Sequence, residues 1–520
     1  MEEKFILTID FGTQSVRTAI VNNKGEIVAI EKSKYEQPYF SKKPGWAEQD
    51  PDIYYRHMCE MSHKLFTAYP QYREKIVGCA LTCFRDSPVM CDDTMKPLRP
   101  AFIWLDQRLA KGSEPLPLIN RLLFKLVGMW DTIKLNRSRT PAHWVKENEP
   151  KIWQNVTRYM NISTYIIYQM TGVYKDSISH YAGHFPTDFK NRRFYKSDKH
   201  FKGSTFGIPL NKLCEIVPEG EIIATITEET AKKSLIPAGT KMFAIGSDKS
   251  CETLGLGCIT SDIGAVSCGT ASTIEVTNKK YCEPESFLPA YPSVIPGYYN
   301  MEVQVYRGYW MLGWFATQFA QREELIAKET NRSIEDILNE GLDKVPPGSN
   351  GLILQPYWGP GLSRPLSRGS VIGFSDTHTK AHLYRAIIEG IDYDLRQGLE
   401  GIEKRQRQKV KSLMISGGGS QNDSICQIAA DIFNLPTSRV QTIETTTLGA
   451  AIAGFMAAKV FTDIEDAIKN MVHITKTFEP IKKNAEHYEY LYQHAYRKMY
   501  PALKNIYKDI KHFEDKMDNE

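Results

Sequence analysis

The sequence predicts an α/β protein built from two related domains, on three observations. Its 520 residues are enough for two or three domains that each bury a full core. Strand-like and helix-like patterns alternate in both halves. One short phrase also occurs twice, half a chain apart: Ile9-Asp10-Phe11-Gly12-Thr13-Gln14-Ser15 and Val266-Ser267-Cys268-Gly269-Thr270-Ala271-Ser272. Gly12 matches Gly269, Thr13 matches Thr270 and Ser15 matches Ser272. A strand, a Gly-Thr turn and a return strand make a hairpin whose tip can hold an anion. Glycine permits close approach, the turn N–H groups point outward, and the hydroxyls add donors. Two such tips predict two domains gripping one polyphosphate, the geometry of nucleotide-dependent phosphoryl transfer.

The elements follow in order. Phe5 to Asp10, Val16 to Val21 and Ile27 to Glu31 have strand character, with Asn22-Asn23-Lys24-Gly25 as the second turn. Asp50 to Ala68 reads as a helix, with Asp50 as N-cap and Pro51 in the first turn. Val77 to Thr82 and Pro88 to Cys91 are further strands. Ile236-Pro237-Ala238-Gly239-Thr240 interrupts the pattern before a strand from Lys241 to Ile245. The domain boundary is expected here, dividing the chain into residues 1–246 and 247–520. The second half starts again with strands from Ile263 to Val276, around the second Gly-Thr turn. Leu413 to Ser416 is a short buried strand, and Gly417-Gly418-Gly419 opens a helix that runs through Ile425 to Phe433. Thr447 to Lys459 is a helix full of Ala and Gly (LGAAIAGFMAAK), which lets another element pack very close. Tyr488, Tyr492, Tyr496 and Tyr500 at i+4 spacing form the packed face of an amphipathic helix.

Composition narrows the function. An apolar fraction of 42% and a charged fraction of 24% are those of an ordinary globular protein. The net charge of +4 is too small and too evenly spread to predict a nucleic-acid or membrane partner. The densest basic stretch, KRQRQKVK from Lys404 to Lys411, reads as a solvated helix end. Ten cysteines without a C-x-x-C pair predict free thiols in a reducing compartment. MEEKF runs straight into a strand, leaving no room for a signal peptide, and no apolar run approaches the ~20 residues that span a bilayer. A cytoplasmic location is expected.

The chemistry concentrates in a few places. A Walker A loop is absent, because Gly246-Ser247-Asp248-Lys249-Ser250 has no glycine beside its lysine. Gly417-Gly418-Gly419 lacks the third-glycine spacing of a dinucleotide fingerprint. Asp10 ends the first strand, immediately before the first anion-holding turn. An acid beside phosphate is unfavourable unless a cation bridges them, so Asp10 reads as a Mg²⁺ ligand, direct or through water; the alternative is a turn cap. Asp248 follows a strand and a glycine just before the second hairpin. It is placed to accept the proton of an attacking hydroxyl, with a helix N-cap as the alternative or additional role. Arg85-Asp86 and Trp104-Leu105-Asp106-Gln107-Arg108 offer charged groups for hydroxyls and an aromatic face for the C–H side of a polyol, although Trp104 by itself reads as core. His180 and His184 share i+4 spacing, but Gly183 and Pro186 oppose a helix and no metal site is expected.

Through these residues the chain resembles the FGGY carbohydrate kinases over nearly its whole length. The matching segments, in order, begin with ILTIDFGTQSVRTAIVNNKGEIV, PGWAEQDP (Pro44 to Pro51) and KPLRPAFIWLDQR (Lys96 to Arg108). Then come IPAGTKMFAIGSDKSCETLGLG around Asp248, SCGTAS, PPGSNGLILQPYWGPGLSRP (Pro346 to Pro365), HLYRAIIEGI (His382 to Ile391), and SGGGSQND with TTTLGAAIAG. The resemblance implies a two-lobed, actin-like (ribonuclease-H-like) ATPase fold with the active site in the interdomain cleft. It implies ATP and Mg²⁺ as cofactors and a small sugar or polyol as acceptor, phosphorylated on a hydroxyl.

Carried over by position, the resemblance makes Thr13, Gln14, Ser15 and Arg17 nucleotide-phosphate contacts, with Gly12 at the turn. Asp10 becomes the metal-side carboxylate and Asp248 the catalytic base. Gly269 and Thr270 become the second phosphate clamp, and Gly418 and Asn422 lie at the adenosine. Arg85, Asp86 and Trp104 fall where glycerol kinases hold their substrate, with Asp106 beside them. Three departures stand out. Gly308 lies six residues before Trp314, displaced from the usual nucleotide wall. Arg85-Asp86 replaces the Met-His of xylulokinases and is closer to the Arg-Glu of glycerol kinase. Lys249 follows Asp248, as either an ion-paired lysine or a contact for an anionic substrate. An actin-like or chaperone-type ATPase switch would lack the sugar cluster and carry a partner-binding extension. A degenerate, sugar-sensing member would not need both Asp10 and Asp248. A homodimer stays open as an assembly.

Overall fold

A computed structural model describes residues 2–111, 115–285, 288–358, 364 and 366–517; residues 359–363 and 365, within the PPGSNGLILQPYWGPGLSRP segment, lie outside them. Strands β1 (Phe5–Phe11), β2 (Ser15–Asn22), β3 (Ile27–Lys34), β4 (Ile76–Cys83), β5 (Ile222–Thr225) and β6 (Lys241–Phe243) form one sheet in the order β5-β6-β4-β1-β2-β3. Strands β7 (Ile263–Cys268), β8 (Ser272–Asn278), β9 (Tyr291–Pro292), β10 (Tyr299–Val305), β11 (Ser412–Ser416), β12 (Thr437–Val440) and β13 (Ile474–Phe478) form a second, ordered β9-β10-β8-β7-β11-β12-β13.

The two sheets repeat one plan. β1 is antiparallel to β2 and parallel to β4, and β7 is antiparallel to β8 and parallel to β11. At the far edges β6 pairs antiparallel with β5, as β12 does with β13. The repeated Gly-Thr phrase therefore marks a repeated lobe, with the hairpins β1–β2 and β7–β8 in corresponding places. The fold is the two-domain, actin-like α/β arrangement that the sequence predicts.

Helices cover both faces of the first sheet, so all seven residues of β1 are buried. Helix α1 (Asp52–Ala68) packs Tyr54, Met58 and Leu65 against Leu7, Ile9 and Phe11. The cap position falls on Pro51, one residue later than the sequence suggests, while Asp50 still meets the first turn, the Asp52 N–H donating to its Oδ1 at 3.1 Å. The opposite face carries Ile6, Val21 and Ala80. It receives helix α2 (Asp248–Gly255) and, from the second half of the chain, helix α5 (Thr445–Ala457), through Leu254, Leu448, Ala451 and Ile452. Between them in sequence, α3 (Lys380–Gln406) and α4 (Asp423–Phe433) cover the second sheet through Ile387, Ile391, Ile425 and Ile428. The tyrosine stripe is packed as expected. Tyr488, Tyr492 and Tyr496 are fully buried, and Tyr393 of α3 lies 5.8 Å from Tyr492 and 5.0 Å from Tyr496, ring to ring.

Two local readings shift. Gly417-Gly418-Gly419 does not begin a helix directly: Gly417 sits at φ 84°, a single 3-10 turn spans Gly418–Gln421, and Asn422 then caps α4. Three glycines resist helix because each loses too much backbone freedom there. Asp248 is the first residue of α2 rather than its cap, which is Ser247.

The Ala/Gly-rich helix makes the close approach its composition predicts. A Cβ at Gly449 of α5 would overlap the carbonyl oxygen of Cys251 in α2, and one at Gly255 of α2 would overlap that of Thr445. Alanine normally gains about 1 kcal/mol over glycine inside a helix, but here the obstacle is backbone, which cannot move aside. Gly449→Ala is expected to lower stability by about 1–3 kcal/mol in thermal unfolding. A neutral or stabilising result would mean that the helices separate freely.

The second sheet also buries two acids side by side. Glu275 of β8 and Glu302 of β10 are cross-strand partners, each almost sealed from water. Glu275 accepts the Thr253 hydroxyl at 3.0 Å and the Asn300 amide at 3.1 Å. Burial, and then the neighbouring Glu302 charge, push its carboxyl up to about 8. Between its ordinary 4.5 and that value the folded chain holds a proton that the unfolded chain has released, so stability falls as pH rises through this window. Glu275→Gln keeps the shape without the charge. Its melting temperature relative to the parent should rise from pH 5 to pH 8 and level off above. A difference that stays constant with pH would show Glu275 to be ionised in the fold.

Candidate active site

The site forms where the C-terminal ends of β1, β4 and β6 come together. Asp10 lies next to Thr82 in the parallel pair β1–β4, and beyond β6 the chain stays extended until Ser247 bridges Cys83. Asp10 and Asp248 therefore emerge on neighbouring strands of one sheet edge, where open α/β sheets bind their ligands. Asp10 is 5% exposed, and Arg17 Nη1 approaches its Oδ2 at 3.2 Å. Burial pushes the Asp10 carboxyl up to about 7 against the pull of Arg17, with Asp248 the first of the neighbouring carboxylates that add to the rise. Asp248 is raised by burial too, while Lys249 and Arg85 draw it back. Its Oδ1 accepts the Lys249 N–H at 2.8 Å.

The hairpin tips are built alike. The Gly12 N–H donates to the Ser15 carbonyl at 2.9 Å, closing the first turn and leaving Gln14 exposed at its crest. The second tip exposes Thr270, and the segment after β10 ties it down, the Tyr309 N–H donating to Gly269 O at 3.0 Å. Gly308 explains its displaced position: a Cβ there would overlap the Ser272 hydroxyl at the base of this hairpin. Gly418, next to the second hairpin, has nothing within 4 Å of where a Cβ would stand, so its backbone is open. Asn422 uses its side-chain oxygen to cap α4, accepting the Ile425 N–H at 3.2 Å.

The sugar cluster divides into members that converge and one that does not. Trp104 Nε1 donates to the Thr13 hydroxyl at 2.8 Å, joining the cluster to the first hairpin. Arg85 Nη2 lies 2.8 Å from Glu302 of the second lobe, and its guanidinium sits 4.9 Å from the Tyr291 ring centre. Asp86 stands in the left-handed region at φ 55° and accepts both the His184 N–H at 2.9 Å and the His184 ring at 2.8 Å. Asp106, by contrast, is taken up by Arg108, at 2.7 Å, and by the Ala47 N–H, at 2.7 Å. Arg108 and Arg99 both bind Glu48 there, under Trp144 and Phe102. Asp106 thus belongs to a buried ion-pair network with Arg108 and Glu48.

Sequence reasoning missed Glu302 and Tyr291, and weighed His184 only as a metal ligand with His180. Glu302 carried a signal, an acid inside the strand pattern NMEVQV; Tyr291 carried none. Lys249 is the ion-paired lysine of the two readings. Its Nζ lies 2.8 Å from Glu252 and 2.8 Å from the Ser267 hydroxyl, inside a buried network with Ser416. Arg17 also reaches Glu444 at 3.0 Å, at the start of α5, so the residue expected to touch phosphate also ties the two lobes together.

Comparison with known proteins identifies the architecture. Residues 5–255 match the N-terminal domain of the FGGY family of carbohydrate kinases, and residues 264–458 match its C-terminal domain. The xylulose kinase of Lactococcus lactis subsp. lactis (strain IL1403) is 28% identical over 518 residues, 98% of this chain and 99% of that protein. Two solved structures from Lactobacillus acidophilus, a ligand-bound xylulose kinase and a gluconate kinase, each superpose with a TM-score of 0.80 at 23% identity, over 98% of this chain and 100% of theirs. With both domains matched, in order and across most of its length, the chain belongs to the FGGY family of carbohydrate kinases.

Proposed function

We propose that this carbohydrate kinase transfers the γ-phosphoryl group of ATP, bound with Mg²⁺, to a hydroxyl of a small sugar or polyol. The observation that carries this reading is the placement of two acids, Asp10 and Asp248, at one sheet edge between two like hairpins. Trp104 joins the acceptor cluster to the first hairpin, and Lys249, next to Asp248, joins the base to the second through Ser267. The related xylulose kinase supports a small-sugar acceptor. The lobes are taken as residues 1–246 and 247–520. A cytoplasmic setting is supported by ten cysteines that are all free thiols.

In this reading Gly12, Thr13, Gln14, Ser15 and Arg17 hold the phosphates from one lobe and Gly269 and Thr270 from the other. Gly418 and Asn422 lie along the adenosine. The nucleotide supplies the activated phosphoryl group, and Mg²⁺ offsets the charge on its oxygens. Asp10 fits the metal, because a carboxylate held near 7 by burial is the one most relieved by a nearby cation. Among the described residues no group of three or more His, Cys, Asp or Glu side chains could hold a metal. Asp10 would therefore be one of at most two ligands from such side chains, with phosphate and water supplying the others. Arg85, Asp86 and Trp104 orient the acceptor, while Asp106 stays in its buried network with Arg108 and Glu48. Asp248 Oδ2 then accepts the proton as the hydroxyl oxygen takes the phosphoryl group, and its raised pKa brings it nearer the working pH of a general base.

Two substitutions test these roles. Asp248→Asn should lower kcat by roughly 10²–10⁴-fold with ATP and sugar still binding, in a coupled assay of ADP release over ketoses and polyols. Near-parental turnover on the best acceptor would remove Asp248 as the base. Asp10→Asn should instead raise the Mg²⁺ concentration needed for half-maximal rate and weaken nucleotide binding by calorimetry. An unchanged Mg²⁺ dependence would place the metal elsewhere.

A further inference from the structure

The acceptor pocket carries its own charge pattern, and that pattern bears on which sugars fit. Arg85, Asp86, Arg139, Asp248 and Glu302 each act on one or more of Arg85, Tyr291 and Tyr306. Two are cations and three are carboxylates. Arg85, one of the cations that act on Asp248, already has its charge paired. Its guanidinium lies 2.8 Å from Glu302 and rests on the Tyr291 ring, both contributed by the second lobe. Glu302 is 5% exposed, so this pair is formed with little water to screen it. Lys249, the other cation beside Asp248, is turned into the Glu252–Ser267 network. Arg139 is only half-buried, and it acts on Tyr306 together with Glu302 and Asp86.

We propose that Glu302 is a specificity-determining residue: by neutralising Arg85 from across the cleft, it makes the pocket select uncharged ketoses or polyols over sugar acids. This rests on the kinase reading above and narrows its acceptor class. A sugar carboxylate entering the pocket would meet Asp86, Asp248 and Glu302, with Arg85 and Lys249, the buried cations beside Asp248, already paired, and like charges brought together repel. Hydroxyls meet no such penalty. They can donate to the carboxylates and accept from the guanidinium edge while the Arg85–Glu302 pair stays intact. Glu302 acts through Arg85, so its effect is one of charge and positioning rather than of chemistry.

The test compares kcat/KM for three- to six-carbon ketoses and polyols with that for aldonates of the same chain length. It uses the whole protein, Glu302→Gln, and the double variant Arg85→Gln/Glu302→Gln. In the parent the aldonates should be worse by at least about 100-fold. Glu302→Gln frees the Arg85 charge and should narrow this ratio by about tenfold or more, and the double variant should lose that gain. A purely structural role for Glu302 would lower both classes together and leave the ratio alone, which overturns the proposal. So does a parent enzyme that prefers an aldonate. If Glu302→Gln does not fold, the parent decides by inhibition: an aldonate competing with the best ketose at a Ki within about tenfold of its KM overturns the proposal, and a much weaker one supports it. Absence of ADP release with every compound removes the kinase reading on which this one stands.

Discussion

The cleft depends on one backbone contact, the packing of α2 against α5. Gly255 and Gly449 let the two helices approach until backbone meets backbone, with Thr445 and Cys251 carbonyls where side chains would otherwise stand. α2 begins with Asp248, while α5 comes from the far end of the second half and lies on the face of the first sheet beside Ile6 and Ala80. Because that interface is dry and closely packed, it has little freedom to slide. The position of Asp248 relative to Asp10 is therefore set by packing, not by the loops at the surface. In the roles proposed for them, a base and a metal-side carboxylate need such a mount, since small displacements of reacting groups cost large factors in rate.

Charge compensation then accounts for most of what surrounds the site. Arg17 bridges Asp10 and Glu444, Lys32 also reaches Glu444, Arg85 pairs with Glu302, and Lys249 pairs with Glu252. Three of these links join opposite halves of the chain. Exposed pairs of this kind contribute little, but buried ones are costly to break because a lone buried charge remains. They act as registers between the lobes. Asp10 and Asp248 are the two acids left under-compensated at the cleft, both with raised pKa values caused first by burial. Groups in that condition at a sheet edge are the ones chemistry uses.

The acceptor side shows the same economy in another form. Trp104 is held by its N–H on Thr13, and Asp86 by His184, so the groups proposed to meet the substrate are held by second contacts of their own. Asp106 and Arg108 do not enter this set. They join Glu48 and Arg99 beneath two aromatic rings, where the planar guanidinium groups both stack and pair. The motif FIWLDQR therefore contains one member that faces the first hairpin and two that join the buried ion-pair network.

Local chemistry along the chain determined the strands, the two Gly-Thr turns, the glycine-lined helix and the repeated plan of the lobes. Each of these rests on residue type and spacing within a few positions: β-branched runs for strands, glycine where backbone must come close, i+4 tyrosines for a buried stripe. Asp10 and Asp248 were legible as candidates because each stands next to such a signal, the first turn and the glycine after a strand. Only the tertiary structure decided which charges meet. Glu302 lies 217 positions from Arg85, and Glu444 lies more than four hundred from Lys32, so no local pattern relates them. His184 stands 98 positions from Asp86 and was hidden in the same way, whereas Lys249 pairs with Glu252 only three residues on, and it is Ser267 of the neighbouring strand that the fold adds. Ion pairing depends on distance in space and on exclusion of water, and both are properties of the packed chain.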